Sequence, residues 1–507
     1  MIPSPVPEVR NVVPRWRSLK RTIEARELSY PARPGVYREF RPFSDEFRIR
    51  VESWRRAPNV VSAAEVIEAA LVAGDEGEAI TAARALLGND LSPVPLLRAQ
   101  AHRILERKGI VEAAVSPDVG LVARRLSYWR KWTRSHPMDA LAWVELARHQ
   151  FTLGYKVAAT RSMMVARQIA PDNRHVMRSA ARMFLHLHQP DVAHDFLRKS
   201  QATRHDPWLT AAEIAIASYR EKTPQLFKTG LSLIDSGNWR PHQTNELAAA
   251  IGTHLLNDGY HKRGKRMMLL GLADPTGNTL AQAEWVTAKF GETLLEASTL
   301  KSSTDANEAR TFRFYRTGLY AKSLESATDW LDEEPFLNRA YIAATAAANM
   351  MEDYTRTLEF ADAGLKFDPI SPFILQNKIY ALACSGSMDD AERILESVPQ
   401  HDGAEYVAEA NRGLIAFRRS QLDVGVRHYR AAISGFKKTQ NIDQECTALA
   451  YLAREAVRAE MSTAIEVLRE AEKILGSREN QQARKILKDA RTMLEVRNVG
   501  LSHVLKR

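Results

Sequence analysis

Along most of the chain, apolar residues fall three or four places apart with polar residues between them. That is the spacing of one face of a helix, not of a strand. The pattern is clearest from Ala140 to Pro171, ALAWVELARHQFTLGYKVAATRSMMVARQIAP. Trp143, Leu146 and Met163 supply bulk, while Ala147, Ala159 and Ala166 stand where two helices must cross closely. Gly154 marks a turn, because glycine leaves a helix without a Cβ clash, and Pro171 closes the second helix. One such hairpin cannot bury its own apolar face, so the units are expected to stack.

The same frame returns along the chain. It is carried by Ala181, Ala193 and Leu197, by Leu247, Gly264 and Gly271, by Tyr341, Ala361 and Pro369, and by Leu375, Gly386, Ala391 and Leu395. The offsets in the lead unit are W-x2-L, then glycine, then A-x3-M and A, then proline, over about 34 residues, and in this the chain resembles the tetratricopeptide-repeat (TPR) superfamily across residues 60–475. The resemblance implies an all-α fold: a right-handed α-solenoid of roughly ten hairpins that binds partners along its concave face. Around that array the sequence divides into a proline-rich basic arm (1–58) and divergent hairpins (59–137). There follow a basic half of the array (138–275), an irregular insertion or half-repeat (276–303), a C-terminal half (304–475) and a capping helix (476–507). The arm is expected to be extended, apart from one helix from about Pro14 to Leu28 that opens with proline at its first turn.

Charge changes this picture. The chain carries a formal net charge of +10. The excess is uneven: roughly +6 in residues 1–60, roughly +9 in 98–178 and roughly −6 in 320–370. The acidic run Asp332-Glu333-Glu334 before Pro335 reads as a solvated helix end. Only two cysteines occur, far apart, which fits a reducing compartment and no disulfide framework. The first residues lack an apolar signal core, and no run is long enough to span a membrane, so the cytoplasm is the expected location and no membrane insertion is expected.

Catalytic chemistry finds no footing in the sequence. Gly259 to Lys265 matches the start of a phosphate-binding loop, but Arg266 stands where serine or threonine must hold magnesium, and no strand precedes it. His186 and His188 are two apart and diverge on a helix, and no Cys-x-x-Cys or His-Glu-x-x-His occurs. No nucleophile elbow is present. The chain therefore reads as a non-enzyme without catalytic residues, cofactor or metal.

The resemblance implies that first-helix positions line the groove. These are Arg148, His175, Arg178 and Arg182 in the basic half, then Phe312, Tyr315 and Tyr380. Arg178 and Arg182 are one helical turn apart and share a face. In the arm, Arg15, Arg17, Lys20 and Arg21 surround Trp16. The expected function is a scaffold or adaptor within a larger complex, holding a protein or peptide with an acidic segment favoured. The alternative is a nucleic-acid-binding subunit that uses the basic arm and the arginine-rich repeats.

Overall fold

The computed structural model describes residues 1–17, 44–73, 77, 79–88, 100–102, 104–105, 119–303, 306–398 and 404–504. Among these, regular structure is helical throughout, with no strand. The helices pair as antiparallel hairpins, and successive hairpins stack into an α-solenoid. No helix among the described residues is long and apolar enough to cross a membrane.

The lead hairpin follows its sequence closely. Asp139 caps the helix Ala140–Thr152 by accepting the Ala142 N–H, and the second helix runs Lys156–Ile169. Between them Gly154 sits at φ 82°, and the Tyr155 N–H reaches back to the Gln150 carbonyl at 2.9 Å. Ala159, Met163 and Ala166 are fully buried. The phosphate-loop look-alike is also packing. Gly264 lies inside the helix His261–Gly271, where an added Cβ would stand 2.7 Å from Leu256 and 3.0 Å from the Gly252 carbonyl.

Two compact units can be described separately. The first comprises Val9–Val286 with Glu333–Pro335, and the second comprises Met1–Glu8, Thr287–Asp332 and Phe336–Arg507. In the first unit, residues 9–17 form neither helix nor strand, so no helix begins at Pro14; the rest of that expected helix lies outside the described residues. A helix forms instead at Ser44–Arg56, inside the stretch expected to be extended. It contains no proline, since Pro42 and Pro58 lie outside it, and it buries Phe47 and Val51 against Ala63, Val66 and Ile67. The helix Gly277–Phe290 and the short helix Ala297–Ser302 occupy the region expected to be irregular.

Candidate functional site

In a hairpin array, the first helices of successive hairpins form one continuous face. In the first unit that face includes Arg148 and Phe151 on Ala140–Thr152, His175, Arg178 and Arg182 on Arg174–His186, and Asn278 and Gln282 on Gly277–Phe290. Arg148 is 4% exposed, and its guanidinium donates to the Glu333 carbonyl at 2.7 Å. Burial pulls its pKa below the ordinary value, against the opposing pull of Glu145, Glu334 and Glu333. Arg178 donates to the Glu246 carboxylate at 2.8 Å and to the Trp208 carbonyl. Arg182 lies beside His186 and helps to depress its pKa. Burial, and next to it Arg178, lowers His175 to about 4, and His149 is lowered by burial, Arg148 and Arg125. A buried pair absent from the sequence reading lies close by: Arg174 holds Asp206 at 2.5 Å and stacks its guanidinium 4.2 Å from the Trp208 ring.

The acidic run departs from expectation. Glu334 is 1% exposed and accepts the Trp16 main-chain N–H, while Glu333 pairs with Arg17 at 2.8 Å. Arginines on the facing surface supply the counter-charge that water would otherwise provide, which offsets the cost of burying a carboxylate.

The arm residues described here lie on this same face. Gln282 donates its side-chain amide to the Arg10 carbonyl at 2.8 Å, and Asn278 donates to the Val13 carbonyl at 3.0 Å. The same two side chains accept from the Arg10 guanidinium, Gln282 at 2.5 Å and Asn278 at 2.9 Å. Arg15 donates to the Gly277 carbonyl at 3.2 Å, and the Trp16 ring meets Phe151 edge-on at 5.7 Å. The segment therefore runs antiparallel to the helix Gly277–Phe290. Lys20 and Arg21 lie outside the described residues.

The second unit repeats the arrangement with other residues. Gln482 donates to the Ile2 carbonyl at 2.9 Å and accepts from the Tyr315 hydroxyl at 3.3 Å. The Met1 amino group donates to the Asn411 side chain, and burial lowers that amine to about 4. Tyr380 accepts from Arg454 at 2.8 Å, and burial raises the phenols of both Tyr315 and Tyr380. Phe312 is buried edge-on to Trp330 and serves packing.

Asn278, Gln282, Asn411 and Gln482 were not singled out in the sequence. Asn278 and Gln282 are one turn apart on one helix. Among the described residues no cluster of three or more His, Cys, Asp and Glu is placed to hold a metal.

No family model matches the chain. No curated protein matches it either. Solved structures do. The human IFIT1 dimer with m7Gppp-AAAA is 14% identical, covering 71% of this chain and 96% of that one at a TM-score of 0.38. Yeast Tom70 is 11% identical, covering 86% and 96% at 0.29. The APC/C hetero-tetramer Cut9–Hcn1 is 12% identical, covering 69% and 93% at 0.23.

Proposed function

We propose that this chain is a non-enzymatic scaffold or adaptor that binds a protein or peptide partner on its first-helix face, as a subunit of a larger complex. One observation carries the reading. In each unit, helix-borne side-chain amides hold main-chain carbonyls of a non-helical segment: Gln282 and Asn278 hold Arg10 and Val13 in the first, and Gln482 holds Ile2 in the second. Carbonyl recognition by amides is a way to grip polypeptide whatever its side chains. Arg148, Arg178, His175, Tyr315 and Tyr380 would then set the polarity around the gripped chain.

Nucleic-acid binding is the second reading. It is favoured by the chain's formal net charge of +10. The inward commitments of Arg148 and Arg178 weigh against it, because phosphates need those forks. The two readings separate on affinity purification of the full chain with nuclease treatment, followed by salt titration. A protein that remains bound and loses little affinity supports the scaffold. Nuclease-sensitive capture, with affinity falling by about 10³–10⁵ between roughly 50 and 200 mM salt, would replace it with the nucleic-acid reading.

A further inference from the structure

Burial along residues 10–17 alternates. Arg10, Val12, Pro14 and Trp16 are buried, while Val13, Arg15 and Arg17 are only half-buried, and Asn11 alone breaks the alternation. A period of two is the habit of an extended chain, in which successive side chains point to opposite sides. Pro14 suits such a chain, since it lacks an N–H and fixes φ near the polyproline value. Two of the inward side chains, Arg10 and Trp16, meet chemistry suited to them. The Arg10 fork faces the amide oxygens of Gln282 and Asn278, and the Trp16 ring meets Phe151. The carbonyls between them are gripped by the same two amides.

We infer that this part of the first unit is a binding site for an extended segment of the pattern Arg-x-Val-x-Pro-x-Trp. The chain's own residues 10–16 keep it filled as a resident competitor. The inference rests on the scaffold reading and narrows it to a partner segment that is basic and aromatic, not acidic. The acidic rim agrees: Glu333 and Glu334 sit at the Trp16–Arg17 end, where a partner's cation would take the place of Arg17. A tethered segment competes at an effective concentration set by its linkage, so a partner must outbid it or wait for it to leave.

The probe is a fluorescein-labelled peptide of residues Val9–Arg17, added in trans to the full-length protein. Arg10→Glu in the protein removes the two guanidinium bonds to the amide oxygens and sets a carboxylate against them, which should weaken the resident segment's hold on the site. Binding to R10E is expected to be on the order of tenfold or more tighter than to the wild-type chain, because the competitor no longer occupies the site. Asn278→Ala with Gln282→Ala in the R10E background should then abolish binding. Circular dichroism checks folding, and the milder Arg10→Ala serves if R10E does not fold. A displacement measurement on the wild-type chain is independent of any variant: saturating peptide should raise the solvent labelling of the chain's own Trp16. Equal affinity for wild type and R10E, or no binding to either, overturns the inference. If the peptide binds neither protein while a purified protein partner is still retained, this inference fails and the scaffold reading stands. If no protein partner is retained at all, the scaffold reading falls with it.

Discussion

His149, His175 and His186 illustrate what burial among arginines does to single residues. A histidine in the unfolded chain takes a proton near pH 6.5, whereas His175 in the fold waits until about 4. Between those values the unfolded state binds more protons. Stability is therefore full above about pH 6.5 and is lost as the pH falls toward 4. Denaturation midpoints measured from about pH 7.5 to 4.5 should decline, and less steeply in His175→Gln. Identical slopes for the two proteins would mean that His175 titrates in water. Arginines divide by the same criterion. Arg148→Ala removes a buried guanidinium from beside Glu145, Glu334 and Glu333 and should cost about 3–5 kcal/mol in denaturant unfolding. Arg430→Ala breaks a half-exposed pair with Glu470 and should cost about 0–1 kcal/mol.

At the scale of elements, one turn is used again and again. Gly154, His188, Glu221, Gly259, Gly318, Glu352, Gly386, Ser420, Gln440 and Glu460 all have positive φ. After each, the next N–H bonds the carbonyl five residues back at 2.8–3.0 Å. This 6→1 closure satisfies a helix-end carbonyl and reverses the chain. A non-glycine residue there carries about 1–2 kcal/mol of left-handed strain, partly offset because glycine is freer when unfolded. Glu352→Gly or Ser420→Gly should therefore raise stability by about 0.5–1 kcal/mol, and an unchanged denaturation midpoint would contradict the strain. Helix crossings should respond the opposite way. A Cβ on Gly413 would stand 2.6 Å from the Tyr429 ring, so Gly413→Ala should lose about 1–3 kcal/mol, as should Ala159→Leu in the lead hairpin.

These two features explain what was legible in the sequence. Crossings are written in glycine and alanine, so the hairpins could be framed from composition at fixed offsets. Turns are written in glycine only part of the time, and at Glu221, Gln440 and Glu460 the same geometry leaves no compositional mark. The helix Ser44–Arg56 is hidden in the sequence by the prolines that flank it, Pro42 and Pro58, which do not set the conformation of the residues between them. Residues 14–17 were read as helical from local pattern. Their conformation follows instead from contacts with Gly277, Phe151, Glu333 and Glu334, which are far away in sequence.

For the molecule as a whole, the candidate site depended on that long-range information. Arg148, Arg178 and His175 were placed on the first-helix face from repeat framing. That Arg148 reaches inward to residue 333, and that a leading segment occupies the face, depends on pairs separated by hundreds of residues. No periodicity encodes such pairs. Residues 10–16 sit docked on the first unit's face through Gln282 and Asn278. Hydroxyl-radical footprinting of the full-length chain, read by mass spectrometry, reports on that docking. Trp16 is fully buried, whereas Tyr155 and Tyr260 are more than half exposed. Docking requires Trp16 to label far more slowly than either tyrosine in the wild type, and faster in Arg10→Glu. Labelling of Trp16 in the wild type as fast as that of Tyr155 would contradict it.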